Sequence, residues 1–95
     1  MLTHVVLLKL NERTTNNAHE LRRRLLTLPA LIPLIKHMEV GVNVVNSDRA
    51  YDVALFQRFD SLADMQAYQM HPAHLEVLAY IKTVIAGMVA VDYDS

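Results

Sequence analysis

The segment from Ala67 to His74, AYQMHPAH, places a tyrosine and two histidines around a proline. Proline is tolerated at the first position of a helix, so Pro72 predicts a new helical segment with His71 at or near its cap and His74 in its first turn. The positive end of the helix dipole disfavours protonation of His74. Because a neutral imidazole accepts a proton at physiological pH, His74 is a candidate general base.

Two further side chains are candidates for the same site. Tyr68 precedes the break at Pro72, which lets its hydroxyl and the His74 ring point into one pocket. His4 lies near the start of the chain on a strand face that is otherwise aliphatic. If that face is turned toward the helices, the three side chains converge. We therefore predict His74, Tyr68 and His4 as catalytic residues.

Each of these residues also has a purely structural interpretation. Tyr68 suits a core aromatic with a hydrogen-bonded hydroxyl, and His4 suits a half-buried strand residue. His71 suits a helix cap and nothing more. His71 and His74 have the spacing of a metal pair, but no carboxylate or third histidine is placed beside them, so we predict no metal site.

Composition limits the possible functions. The chain has 95 residues, 53% of them apolar, and only two glycines, which indicates one folded domain spanning residues 1–95. The absence of cysteine excludes disulfides, thiol catalysis and zinc–thiolate sites. The net charge is -1 and the basic run Arg22–Arg24 is short, so we expect no nucleic-acid partner. We predict no cofactor.

The N-terminal segment MLTHVVLLKL lacks the cationic start and the small-residue cleavage site of a signal peptide. No apolar stretch approaches the length of a membrane span. We therefore expect a cytoplasmic protein that does not associate with membranes.

Hydrophobic periodicity predicts six elements in the order β-α-β-β-α-β. Asn17, with Glu20 three residues later, resembles a capping box and sets the expected start of the first helix, which Pro29 and Pro33 end. Ser61 marks the start of the second helix. This order is typical of an α+β, ferredoxin-like fold with a four-stranded antiparallel sheet and both helices on one face. The predicted strands span residues 3–10, 36–45, 50–59 and 87–94, and the last helical segment runs to about residue 84.

The first and last strands are apolar on both faces. Val6, Leu8 and Leu10 share one face of the first strand with His4, whereas Val5 and Leu7 lie on the other. A sheet covered on one side only alternates apolar and polar residues. The second apolar face therefore predicts an isologous homodimer that packs through the open face of the sheet.

Several segments together resemble the stress-responsive A/B barrel domain family, Dabb. They are THVVLLKL at the start, Gly41-Val42-Asn43, YDVALFQRFDSLADMQAY leading into HPAH, and the terminal VDYD. The resemblance covers essentially the whole chain. It implies a small ferredoxin-like homodimer whose two sheets pack face to face into a dimeric α+β barrel with the helices outside.

The resemblance also implies a chemistry. A plant member of the family is a polyketide cyclase that closes a linear polyketide by an aldol condensation without a cofactor. By that similarity His74 is the general base, Tyr68 binds or polarises the substrate carbonyl and His4 supports the pocket. The plant cyclase has a tyrosine on the first helix where this chain has Leu25, which indicates a different substrate preference.

Two hypotheses follow. The first is a non-catalytic, stress-associated homodimer that binds a small hydrophobic or polyketide-like ligand or only stabilises itself, with the histidines serving structure. The second is a cofactor-independent cyclase or isomerase that uses His74 as the base and Tyr68 to stabilise an enolate. A lined pocket that reaches His4, Tyr68 and His74 favours the enzyme, and a filled interior favours the first hypothesis. A cofactor-free monooxygenase is a third possibility, but the chain has no tryptophan, a residue often seen in such sites.

Overall fold

Strands and helices follow one another in the order expected, and the computed structural model describes all 95 residues, Met1–Ser95. The strands are antiparallel and adjoin in the order β2-β3-β1-β4, which is the ferredoxin-like arrangement. The predicted fold class is confirmed. The elements are β1 (Leu2–Leu10), α1 (Thr15–Leu25), α2 (Leu28–Leu31), β2 (His37–Val42), β3 (Val53–Phe59), α3 (Leu62–Met70), α4 (Pro72–Val84) and β4 (Ile85–Asp94).

The two faces of the sheet differ in burial. On β1 the residues that alternate from Leu2 to Leu10 are buried in the core, whereas Leu7 is exposed and Val5 only half-buried. The same buried core includes Leu21 and Leu25 of α1 and Met65 of α3, so the helices cover one face of the sheet. Apolar side chains remain on the uncovered face, as the double-sided pattern of β1 predicts.

The predicted start of α1 is wrong. Thr14, not Asn17, is the cap: its backbone is extended, and its Oγ1 accepts a hydrogen bond of 3.1 Å from the backbone N–H of Asn17. The Asn17 side chain instead donates to the carbonyl of Glu12. Glu20 forms ion pairs with arginines one turn later and does not return to the backbone, so no capping box forms.

Several other boundaries shift by a few residues. α1 ends at Leu25, and Pro29 lies inside the single turn of α2, where proline is tolerated near the N-terminus. β2 and β3 are shorter than predicted, because residues 43–52 form the connection between them. Asn43 N–H still donates to the Asp52 carbonyl at 2.9 Å across the base of this connection.

The break between α3 and α4 matches the prediction. Ser61 caps α3 by accepting a hydrogen bond from the N–H of Asp64, and α3 ends at Met70. His71 is the cap of α4, because its Nδ1 accepts a 3.0 Å bond from the N–H of Ala73, and Pro72 is the first helical residue. None of the helices has the length and apolar character that crossing a membrane requires.

Candidate active site

Three polar residues form a row across the covered face of the sheet. Gln57 on β3 and Asp92 on β4 are the direct neighbours of His4 in the central strand β1. The next row along the same face is aliphatic and consists of Leu55, Val6 and Ala90. Antiparallel neighbours point to the same side of the sheet, so the polar row faces the helices.

His4 and Asp92 form a side-chain hydrogen bond within this row. The Nδ1 atom of His4 lies within hydrogen-bond distance of Oδ1 of Asp92, and His4 is only 7% exposed. An ionised carboxylate only accepts hydrogen bonds, so Nδ1 carries the proton that joins the pair. The second ring nitrogen of His4 is therefore left for other contacts.

Tyr68 reaches the polar row from α3. Its side chain is buried, its ring packs on Phe59 at a centroid distance of 5.1 Å, and its oxygen accepts a 3.1 Å hydrogen bond from Nε2 of Gln57. Burial raises the pKa of Tyr68, and the hydrogen bond from Gln57 opposes that rise. Tyr68 is therefore a neutral phenol at physiological pH and can donate its hydroxyl proton.

His74 lies beside Tyr68, with the two ring centroids 4.6 Å apart. Its Nδ1 is 3.0 Å from the backbone carbonyl oxygen of Gln69, at the end of α3. A carbonyl oxygen only accepts, so Nδ1 carries the proton and Nε2 has a free lone pair. Nε2 of His74 makes no hydrogen bond within the protein.

Burial lowers the pKa of His74 below its usual value of 6.5. The hydrogen bond to the Gln69 carbonyl opposes this effect, and the nearby His4 adds a smaller lowering. The lowered pKa of His74 agrees in direction with the effect expected from the helix dipole, but its principal cause is burial. His74 is consequently neutral at physiological pH, the state that a general base requires.

All three predicted residues line one cavity of about 330 Å³. Its polar lining consists of His4, Tyr68, Gln69, His74 and Asp92. The remaining lining is aliphatic or thioether, and it includes Leu25. His71, in contrast, caps α4 and does not line the cavity.

Asp92 and Gln57 are site residues that the sequence did not predict. Asp92 lies 88 positions from His4 along the chain, and only the register of β1 with β4 brings the two together. A signal was present, since Asp92 belongs to the VDYD segment and shares a strand face with Met88 and Ala90. Gln57 interrupts an apolar alternation in β3 and is fully buried.

No group of three or more histidine, aspartate or glutamate side chains is placed to hold a metal ion. The His4–Asp92 contact involves two potential ligands only. The chemistry that the cavity residues can perform is the transfer of protons and the donation of hydrogen bonds.

The sequence profile of the stress responsive A/B barrel domain matches residues 2–95. The chain belongs to the Dabb family. No curated protein sequence matches it.

Solved structures agree with this assignment. A dimeric ferredoxin-like protein of unknown function from Thermobifida fusca is 30% identical, with a TM-score of 0.85 over 99% of this chain and 90% of the other. A dimeric ferredoxin-like protein of unknown function from Bacteroides fragilis is 28% identical, with a TM-score of 0.82 over 99% and 95% of the two chains. A hydroxynitrile lyase from Passiflora edulis shares the fold at 20% identity, with a TM-score of 0.83 over 97% and 90%.

Proposed function

We propose that this Dabb protein is a cofactor-independent enzyme that acts on small carbonyl compounds and uses His74 as the general base. One observation carries the proposal: a neutral His74, with its Nε2 lone pair free, lies beside the Tyr68 phenol in a lined cavity. A base and a hydrogen-bond donor in one apolar cavity are the two groups that enolisation needs.

The proposed step moves one proton and one electron pair. Nε2 of His74 removes a proton from the carbon next to the substrate carbonyl, and the electron pair of the broken C–H bond moves onto the carbonyl oxygen. Tyr68 donates a hydrogen bond to the resulting enolate. The enolate carbon then attacks a second carbonyl of the same molecule and the new alkoxide oxygen takes the proton back from His74, as in a cyclase, or the enolate regains that proton at another position, as in an isomerase. The electrons balance without an oxidant or reductant.

His4 has a supporting role in this proposal. Its proton on Nδ1 is held by Asp92, which fixes the ring in the cavity wall. A carboxylate that accepts from one ring nitrogen holds a histidine in a single tautomer. The Nε2 lone pair of His4 is therefore free to accept a hydrogen bond from a ligand, while His74 carries out proton removal.

The lining of the cavity indicates the class of ligand. Polar groups cluster around Tyr68 and His74, whereas ten of the 14 lining residues are hydrophobic if the Tyr68 ring is included. Cavities that hold small molecules commonly range from about 300 to 1,000 Å³, so this one suits a small ligand. We infer a compound with a carbonyl-bearing end and an aliphatic or aromatic remainder.

Ligand binding without turnover is the second candidate function. The predominantly apolar lining favours it, because such a surface binds a hydrophobic molecule whether or not a reaction follows. Membership of a family and possession of its fold do not by themselves show that a protein catalyses a given reaction. The two candidates share the same cavity and differ in whether His74 removes a proton.

We infer that the chain forms a homodimer through the uncovered face of its sheet. Leu7, Val89 and Val91 are exposed there and lie side by side across β1 and β4, with Val5 half-buried among them. The related structures from Thermobifida fusca and Bacteroides fragilis are described as dimeric. A second copy would bury this apolar surface and complete the dimeric barrel.

Proton exchange tests the enzymatic proposal directly. The protein is incubated in heavy water with a panel of small alkyl and aryl ketones, and deuterium incorporation next to the carbonyl is followed by NMR. We expect incorporation with the wild type and a loss of at least about tenfold in His74→Gln, the equivalent of about 1.4 kcal/mol in the barrier. His19→Gln is the matched control, because His19 is an exposed histidine away from the cavity.

The outcomes separate the candidates. Equal incorporation in the wild type and His74→Gln contradicts the assignment of His74 as the base. Ketone-induced chemical shift changes at the cavity residues without any incorporation favour binding without turnover.

A further inference from the structure

Gln57 is an unexpected residue for the centre of the core. It is 0% exposed, and its neighbours on the same face of β3 are Leu55 and Phe59. Its side-chain oxygen Oε1 is buried and has no hydrogen-bond partner. A buried, unpaired polar atom lowers stability, and an aliphatic side chain would avoid that loss. Gln57 therefore needs an explanation other than packing.

The neighbours of Gln57 determine the orientation of its amide group. Nε2 donates to the Tyr68 oxygen at 3.1 Å and to the sulfur of Met38 at 3.6 Å, so both of its protons are used. The opposite orientation would leave both N–H donors buried without an acceptor and place the carbonyl oxygen against the sulfur. The orientation with Nε2 toward Tyr68 leaves fewer groups unpaired.

This orientation determines what Tyr68 can do. A phenol has one proton to donate and lone pairs that accept. Because Gln57 donates to the phenol oxygen, the hydroxyl proton is not used between these two residues. No other hydrogen-bond partner of the Tyr68 oxygen is present in the protein. The proton is left for a ligand in the cavity that Tyr68 lines.

The same hydrogen bond affects the strength of Tyr68 as a donor. Burial in the core raises its pKa and makes it a weaker acid, and the bond from Gln57 works in the opposite direction. A donor to the phenol oxygen stabilises the charge that builds up there as the proton is shared with an enolate. Gln57 thus supports Tyr68 in both orientation and acidity.

We propose that Gln57 is a positioning residue, which holds the Tyr68 oxygen through its amide N–H so that the hydroxyl proton is presented to the carbonyl oxygen of a ligand. The role of Gln57 in catalysis rests on the proposed function. The effect of Gln57 on the Tyr68 hydroxyl is independent of that function and is measurable in the free protein.

The first experiment uses protein labelled with carbon-13 at the ring carbon that bears the tyrosine hydroxyl. The chain has four tyrosines, and Tyr68→Phe assigns the resonance of Tyr68. We expect Gln57→Met, which keeps the length of the side chain and removes the donor, to raise the titration midpoint of Tyr68. Gln66→Met is the matched control, since Gln66 is exposed on the same helix as Tyr68, and it leaves the midpoint unchanged.

The second experiment measures binding of para-nitrophenolate, whose charged oxygen resembles that of an enolate. We expect Gln57→Met to weaken binding about fivefold, the effect of losing one hydrogen bond of ordinary strength. The same substitution in the Tyr68→Phe background should have no effect, because Gln57 acts through the phenol oxygen.

An unchanged Tyr68 midpoint in folded Gln57→Met overturns the proposal. Equal weakening of phenolate binding in the wild-type and Tyr68→Phe backgrounds does so too, because it shows that Gln57 acts by packing alone. A raised midpoint together with no phenolate binding by the wild type supports the positioning of Tyr68 and contradicts the proposed enzymatic function.

Discussion

Burial keeps His74 uncharged in the folded protein, whereas the unfolded chain exposes this side chain to water. The pKa of His74 is lowered by folding, so between that value and about 6.5 the unfolded chain binds more protons than the folded protein. The stability that His74 contributes is therefore present above about pH 6.5 and is lost as the pH falls through the lowered pKa.

Comparison of the wild type with His74→Gln tests this linkage. As the pH falls below about 6.5, the free energy of unfolding of the wild type should decrease more steeply than that of the variant, which has no group to protonate at this position. Urea denaturation over a series of pH values measures both curves. Parallel curves would contradict the lowered pKa of His74.

Asp92 controls the tautomer of His4 in the site that we describe. In Asp92→Asn the amide can donate to Nδ1, so the proton of the His4 ring should move to Nε2. Nitrogen-15 NMR of the histidine ring distinguishes the two tautomers. We also expect deuterium incorporation into a ketone substrate to fall by about tenfold, because Nε2 of His4 then carries a proton and no longer accepts a hydrogen bond from the ligand.

Asp94→Asn serves as the control for Asp92→Asn. Asp94 lies two residues later on the same strand and is exposed. The His4 tautomer should not change in this variant. A proton that stays on Nδ1 in Asp92→Asn would show that the carboxylate does not determine the state of the ring.

At the scale of single elements, the start of α1 depends on Thr14. Its Oγ1 pairs with a backbone N–H of the first turn, whereas the Asn17 side chain makes only an exposed hydrogen bond to Glu12. Thr14→Ala should lower the free energy of unfolding by about 1 kcal/mol, and Asn17→Ala should cost less. Chemical denaturation of the two variants measures the difference. A larger loss in Asn17→Ala would identify Asn17 as the more important cap.

The same helix shows why sequence patterns place elements better than they place boundaries. The stripe of Ala18, Leu21 and Leu25 predicts α1, and all three residues are buried. Thr14 and Asn17 are both suitable caps by residue type, and only the backbone conformation separates them. The break at Pro72 was predictable, because proline and the His71 cap act locally.

The candidate site was partly predictable for a related reason. His4, Tyr68 and His74 are unusual residues for their positions, and the alternation in β1 indicates which face His4 occupies. The partners of His4 and Tyr68 depend instead on strand register. Asp92 and Gln57 face them only because β4 and β3 pair with β1 in the observed alignment. Periodicity within one strand contains no information on register with another.

At the scale of the whole molecule, the cavity and the uncovered face lie on opposite sides of one sheet. The cavity is lined by side chains such as Met88 and Ala90 of β4, whereas Val89 and Val91 point the other way. In the proposed dimer each protomer therefore keeps its own site, and association covers the apolar face of a chain with a small core. Substitutions on the uncovered face should change assembly without altering the residues around His74.

Val91→Lys tests this arrangement. Val91 is 62% exposed in the single chain, and a lysine there would bury an unpaired charge between two sheets. We expect the wild type to have twice the 10.8 kDa mass of the chain by light scattering, and the variant to be monomeric and less stable. Met70→Lys is the matched control: Met70 is 73% exposed at the end of α3, and this variant should remain dimeric. A dimeric Val91→Lys protein would place the interface elsewhere, and a monomeric Met70→Lys protein would place it on the helices.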